Sequence, residues 1–261
     1  MCIRDRLPPT LNYGATLSID IIDYVVYNIY ALSMAAAGST SISTSASRFA
    51  ALVHKDGGPN TYNKLASSYE ADVNSFNYVG HKSVVSKWRS YHTELARSDS
   101  DSTGIKHKVF DAGCGTGLVG EGLATLVPRD LIEIYGGDVS HNMLEKARTK
   151  DAYTDLRIVN LKEELPYEDG YFDSVLCAGV FTVAHCGLEC VPNLIRVLKK
   201  GCYLFATVNR LIYNETTKVE WDKQFKDCNC ELLEDNETPF AEGFKAVLVV
   251  IRKLPDEEPH M

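Results

Sequence analysis

Val109-Phe-Asp-Ala-Gly-Cys-Gly-Thr-Gly117 reads as a short β-strand running straight into a glycine-rich turn, with a helical pattern from Leu118 to Leu126 behind it. Branched and aromatic residues suit the strand. Glycines are needed in such a turn for positive φ and for close approach of the backbone to a ligand. Outward from this stretch, further β-rich runs lie at Ile132 to Gly137, Leu156 to Leu161, Phe172 to Ala178 and Cys202 to Val208. Helical patterns around Met143 to Thr149 and Leu188 to Lys199 alternate with them. Such alternation argues for a parallel sheet covered on both faces. The strand-like Cys230 to Leu233 and the apolar run Ala246 to Ile251 have no long helix between them, which implies an antiparallel hairpin at one edge.

The chain has 261 residues, 45% hydrophobic and 24% charged, which excludes a wholly disordered, collagenous or multi-span membrane protein. Acidic residues outnumber basic ones by 35 to 27 and give a net charge of −8, so a phosphate backbone would be repelled and nucleic acid is not expected as a partner. The apolar stretch from Ala15 to Ala37 carries Asp20 and Asp23, which is unsuited to a membrane span. Met34 opens an Ala/Ser/Thr-rich run and is read as the natural start, with the upstream residues as leader sequence. Residues 34 to 53 hold Arg48 and no acidic residue, a composition shared by organellar transit peptides and disordered tails. The expected compartment is the cytoplasm, with organellar import through residues 34–53 left open. Residues 1–60 are thus read as an extension, 61–103 as N-terminal helices plus the polar linker Ser98 to Gly104, and 104–261 as the main domain.

Eight cysteines in a chain of this length form no disulfide framework, so free thiols in a reducing compartment are expected. His185, Cys186, Cys190, Cys228 and Cys230 come closest to a zinc signature but lack CxxC or HxxxH spacing, and no metal is expected.

Gly115-Thr-Gly117-Leu-Val-Gly120 satisfies the dinucleotide pattern GxGxxG, with Asp138 at the end of the second strand, so the glycines alone leave the cofactor open. Asp111 helps to choose. A carboxylate two residues ahead of Gly113 opposes a pyrophosphate and suits a ligand bearing an ammonium group. The constellation Asp-x-Gly-x-Gly-x-Gly, with Gly137-Asp138-Val-Ser-His-Asn-Met-Leu-Glu-Lys-Ala147, Leu165-Pro-Tyr-Glu-Asp-Gly-Tyr-Phe-Asp-Ser-Val175 and Arg196-Val-Leu-Lys-Lys-Gly201, resembles class I S-adenosylmethionine-dependent methyltransferases over about residues 104 to 210. Within that superfamily, Tyr62-Asn-Lys-Leu-Ala-Ser-Ser-Tyr-Glu-Ala-Asp72 and Gly179-Val-Phe-Thr-Val-Ala-His185 are similar to segments of the Williams-Beuren-region methyltransferase-like proteins.

The resemblance implies an α/β, Rossmann-like fold: a seven-stranded, mostly parallel sheet with an antiparallel C-terminal hairpin edge, helices on both faces and an N-terminal helical lid. It implies S-adenosyl-L-methionine as cofactor, S-adenosyl-L-homocysteine as product, and in-line methyl transfer. The acidic balance favours a small or medium-sized acceptor, small molecule or protein, over DNA, and the chain is expected to be monomeric. It places Asp111, Gly113, Cys114, Gly115 and Gly117 in the loop under the methionine and ribose. Asp138 and Val139 then lie at the ribose, Met143 on the adenine, Asn160 and Leu161 at the adenine edge, and Cys177 and Ala178 along the methionine. Asn160 stands where that family often has an acidic residue, and Cys202 where it usually has a second glycine. Asp138 and Ser140 are each read either in the site or as a helix N-cap. Tyr69 is read as a lid residue or as core, and His185 as a general base or as a structural histidine. Asn209 and Arg210 are read as acceptor contacts or as solvated side chains. Two other functions stay open: a nicotinamide-dependent oxidoreductase using Gly115 to Gly120, and a non-catalytic module that binds S-adenosylmethionine.

Overall fold

A computed structural model describes residues 58–95, 105–183 and 185–256. Residues 1–57 of the expected extension, the start at Met34 and the polar linker Ser98 to Gly104 lie outside them.

Among the described residues three helices come first: α1 Pro59–Leu65, α2 Tyr69–Ser75 and α3 Gly80–Tyr91. The alternating part then runs β1 His107–Ala112, α4 Leu118–Ala124, β2 Ile132–Asp138, α5 His141–Arg148, β3 Asp155–Ile158, β4 Phe172–Phe181, α6 Val191–Val197 and β5 Leu198–Asn209. It closes with α7 Lys218–Asp227 and the hairpin β6 Cys230–Ala241 and β7 Phe244–Lys253. The strands form one seven-stranded sheet in the order β3-β2-β1-β4-β5-β7-β6. β1 pairs in parallel with β2 and β4, β2 with β3 and β4 with β5, whereas β7 runs antiparallel to both β5 and β6. The expected fold class is therefore observed.

Strand alternation sends neighbouring side chains to opposite faces, and here both faces are covered. On one, Val109, Leu176 and Phe205 pack with Val84 and Trp88 of α3 and Leu123 of α4. On the other, Phe110, Val175 and Ala206 pack with Leu194 of α6 and Trp221 and Phe225 of α7. The chain builds β1, β2 and β3 to one side and returns to β4 on the other, so the strand order reverses beside β1. Ligands of open α/β sheets bind at the carboxyl ends of the strands at that point.

Several boundaries differ from the sequence reading. The helix expected over Leu188 to Lys199 is a 3₁₀ turn at Leu188–Cys190 followed by α6, and the chain turns extended at Leu198. β5 consequently begins earlier than Cys202. β6 runs well beyond Leu233, and α7 was not foreseen. The N-terminal helices divide: α3 buries Val84, Val85 and Trp88 against the sheet, while α1 and α2 border the ligand side.

α3 is pinned by a buried polar cluster. Trp88 Nε1 donates to Ser174 Oγ at 3.0 Å, His107 Nε2 lies 2.8 Å from the same oxygen, and His92 stacks on Trp88 with ring centroids 4.7 Å apart. Burial lowers the His92 pKa and, with the neighbouring His92 charge, brings His107 down to about 4. In the unfolded chain these histidines protonate near 6.5, so between about 6.5 and 4 the unfolded state binds more protons and stability falls as pH drops. Asp111, whose buried carboxyl is pushed up to about 7, contributes with the opposite sign over much of the same window. The expected result is therefore a difference. Urea unfolding of wild type should lose about 2 kcal/mol more between pH 7 and 5 than that of His107→Gln; parallel pH profiles would refute the assignment.

Candidate active site

The glycine-rich turn leaves β1 and is tied to the next strand by backbone bonds. The Gly113 and Cys114 N–H groups both donate to Gly137 O, at 2.8 and 3.0 Å, and the Gly115 N–H donates to Asp138 Oδ2 at 2.9 Å. Gly113, Gly115 and Gly117 all adopt positive φ. Asp138 Oδ1 accepts the Ser140 N–H at 2.8 Å, and Ser140 caps α5 by accepting the Met143 N–H at 3.2 Å. The N-cap of α5 is thus Ser140, while Asp138 joins the loop after β1 to the turn after β2. Burial raises the Asp138 pKa, opposed by those backbone N–H bonds.

A cavity of about 590 Å³ opens over this turn, within the range of roughly 300–1,000 Å³ usual for ligand sites. Its floor is Gly113 and Gly115, and one wall is Asp138, Val139 and Met143. The end of β3 contributes Ile158, Val159, Asn160 and Leu161, and the end of β4 contributes Ala178, Gly179 and Val180, followed by His185 and Cys186. Gly58, Pro59 and Tyr62 of the first helical segment and Tyr69 of α2 form the roof. The strand register explains the convergence, since it pairs Ala112 with Gly137 and Asp138 with Ile158 at one height across the sheet.

The roof is fastened through Asn63. Its Oδ1 accepts from Ser140 Oγ at 2.8 Å and from the Asn142 N–H at 3.1 Å, and its backbone oxygen accepts from Asn142 Nδ2 at 2.9 Å. Lys150 adds ion pairs to Glu70 of α2 at 3.1 Å and Glu121 of α4 at 2.9 Å.

Of the residues singled out in the sequence, Tyr69, Gly113, Gly115, Asp138, Val139, Met143, Asn160, Leu161, Ala178 and His185 line the cavity. Asp111, Cys114, Gly117 and Cys177 are not among the lining residues. Cys177 and Ala178 are successive strand residues with opposite faces, so Ala178 reaches the cavity while Cys177 is fully buried among the aromatic core. The Cys114 thiol lies against Gly136, and Gly117 is the left-handed residue that starts α4. Asp111 Oδ2 accepts from the Tyr153 hydroxyl at 2.6 Å, and Tyr153 in turn accepts the Gly120 N–H at 3.2 Å. A Cβ on Gly120 would collide with the Tyr153 ring, so the third glycine of GxGxxG makes room for a tyrosine that holds Asp111. The Asn160 amide is drawn into its own turn, donating to Glu163 Oε1 at 2.8 Å and accepting the Lys162 N–H at 3.1 Å. Asn209 accepts the Leu211 N–H, and Arg210 pairs with Glu237 at 2.6 Å; neither lines the cavity. The described residues contain no group of three or more His, Cys, Asp or Glu placed to hold a metal, and their seven cysteines are free thiols. No helix of the described residues is long and apolar enough to cross a membrane.

Tyr62, Asn63, Tyr153 and Gly179 are structural members of this region that the motifs did not mark as site residues. Tyr62 and Asn63 were visible only as the start of the segment Tyr62 to Asp72, and their partners lie 123 and 77 or more residues further along the chain.

The residues fit an amino-acid nucleoside carrying positive charge. Nothing lies within 4 Å of where a Cβ on Gly115 would project, and Asp111 Oδ1 is buried with no hydrogen-bond partner among the described residues. Residues 110–206 match the family description of a methyltransferase domain. The fold is shared with the magnesium protoporphyrin IX methyltransferase of Synechocystis PCC 6803, solved with bound SAM, at a TM-score of 0.51 and 14% identity over 93% of this chain and 100% of that one. Residues 110–206 are therefore similar to a methyltransferase domain, on a fold shared with that enzyme.

Among curated proteins it is similar to human methyltransferase-like protein 27, with 32% identity over 120 residues, 44% of this chain and 47% of that protein. It is also similar to the demethylmenaquinone methyltransferase of Bacillus mycoides (strain KBAB4), with 29% identity over 161 residues, 60% of this chain and 61% of that protein. The aligned part thus spans about half to three fifths of these relatives.

Proposed function

We propose that the chain is a methyltransferase that binds S-adenosylmethionine in the roofed cavity and passes its methyl group in line to a small or medium-sized acceptor. The observation that carries this reading is the convergence, on one cavity, of the glycine floor, the Asp138 carboxylate and Met143. Asp138 uses both oxygens on backbone N–H groups, and a carboxylate retains further lone pairs for ribose hydroxyls. Met143 supplies a buried, polarizable surface for the adenine, with Ile158 and Leu161 opposite. Asp111, ionised beside a cation, would attract the ammonium end through the loop.

The bound cofactor supplies an electrophilic methyl group on a sulfonium; the chain's own contribution is alignment and exclusion of water. Alignment of nucleophile, carbon and sulfur is a large part of the acceleration in such a displacement. Tyr62 and Tyr69 close the cavity from above, so an acceptor bound beneath them reacts out of bulk water. The net charge of −8 favours an acceptor other than nucleic acid.

Isothermal titration of the full chain against S-adenosylmethionine, S-adenosylhomocysteine and NAD tests the reading. The first two should bind and raise the thermal midpoint while NAD does neither. Stabilisation by NAD alone would move the chain to the oxidoreductases. Binding without turnover on any acceptor would make it a sensor module.

A further inference from the structure

Tyr62 on α1 and His185 after β4 meet across the cavity, with Tyr62 Oη 2.8 Å from His185 Nε2 and the ring centroids 5.4 Å apart. On the far side of the imidazole, Nδ1 lies 2.8 Å from Thr182 Oγ1. Tyr62 and His185 both line the cavity. With its hydrogen on Nδ1, given to Thr182 Oγ1, the ring presents the Nε2 lone pair to the Tyr62 O–H. Burial first, then the neighbouring Tyr69 and Asp138, push the Tyr62 hydroxyl well above the ordinary phenol range. It therefore stands as a neutral O–H, able to accept one proton while giving up another. Asn63, the next residue, fixes α1 to the start of α5, so the pair is complete only with the roof in place.

We infer that, granted the methyltransferase reading above, Tyr62 and His185 are the proton-accepting pair of the cavity, and that the acceptor is a protic nucleophile whose O–H, N–H or S–H proton leaves as it is methylated. The acceptor lone pair forms the new bond to the methyl carbon, the carbon–sulfur bond breaks and its electron pair stays on sulfur. The acceptor proton moves to Tyr62 Oη while Tyr62's own proton moves to His185 Nε2, and the resulting imidazolium later loses it to water. Tyr62 touches the acceptor and is the catalytic residue. His185 acts through it, held in place by its contact with Thr182.

The test uses the full chain with nitrogen-15-labelled histidine, saturated with S-adenosylhomocysteine, alongside Tyr62→Phe and His185→Gln. In wild type the His185 signals should report the Nδ1-protonated neutral ring, and Tyr62→Phe should shift both the Nε2 resonance and the His185 titration midpoint. With S-adenosylmethionine and a panel of phenols and thiols graded in acidity, His185→Gln should lose about 100-fold on probes that keep their O–H or S–H at the assay pH. Probes already ionised should keep nearly their full rate, because they have no proton to give. His185 signals indifferent to Tyr62→Phe, equal losses across the panel, or no probe methylated by a wild-type chain that binds S-adenosylmethionine would each overturn the pair. A wild-type chain that binds neither S-adenosylmethionine nor its product fails the methyltransferase reading itself, which separates the two outcomes.

Discussion

Replacing Asp138 with alanine is expected to weaken S-adenosylmethionine binding by about 100-fold, or ~3 kcal/mol, while the protein stays folded. Two losses add. The Gly115 and Ser140 N–H groups lose the carboxylate that accepts them at 2.9 and 2.8 Å, so the loop after β1 and the turn before α5 are no longer tied together. The ribose loses its charged acceptor as well, and hydrogen bonds to a charged group are worth about 1.5–3 kcal/mol each. Asp138→Asn separates these effects. Its amide oxygen preserves an acceptor but no longer carries charge, so its affinity should fall between wild type and alanine. Because the carboxylate is buried and its pKa is raised by that burial, removing it also relieves desolvation, and the thermal midpoint of the ligand-free protein should change less than the affinity does. Calorimetric titration of the three proteins reads the first effect and thermal unfolding the second; affinities within threefold of one another would take Asp138 out of the site.

The parts of this molecule that were legible in the sequence are those whose signal is local. β1 and its turn announce themselves because strand formers meet glycines that must adopt positive φ, and nothing distant is needed to interpret them. The parallel sheet follows from alternation alone. Where pattern and burial part company, the reading stops short. β6 carries Glu231, Glu234, Asp235 and Glu237 on an edge strand, where charge protects unpaired backbone, and that charge hides its continuation to Ala241. In α7 only Trp221 and Phe225 are buried, and the preceding Asn214 and Thr217 look like a loop although Asn214 Oδ1 accepts the Thr216 and Thr217 N–H groups to set up the turn before the helix. The cavity divides in the same way. Floor and first wall were readable as motif, whereas the roof depends on Asn63 reaching Ser140 and Asn142, a contact no spacing rule encodes. Cys177 and Asp111 lie at the strand ends the motifs marked but do not line the cavity, because a one-residue step along a strand reverses the side chain.

Alanine at Gly113 and at Gly115 should fail in different ways. Both residues lie in the left-handed region, at φ +71° and +53°, and forcing a side chain there costs about 1–2 kcal/mol. At Gly113 the added Cβ would also overlap the Val180 side chain at the end of β4. Val180 sits on the cavity wall beside Gly179, itself at φ +75° against the Tyr78 hydroxyl, so the strand end has little room to yield. Overpacking adds roughly 1–3 kcal/mol, and Gly113→Ala is expected to lower unfolding stability by ~3 kcal/mol or more. Val180→Ala in the same chain should restore part of that loss, because the two side chains would compete for one volume and their effects cannot be independent. At Gly115 the Cβ meets no protein atom within 4 Å and projects over the floor of the cavity, so stability should fall only by the backbone strain. The affinity for S-adenosylmethionine should fall further than for any change of equal size outside the cavity, by about tenfold or more, since the methyl group takes space the ligand needs and disturbs the N–H that binds Asp138. Urea unfolding and calorimetric titration of both variants decide it. A Gly115→Ala protein that binds as tightly as wild type would mean that the turn after β1 holds its shape for the fold alone, and a Gly113→Ala protein no less stable than Gly115→Ala would refute the overlap with Val180.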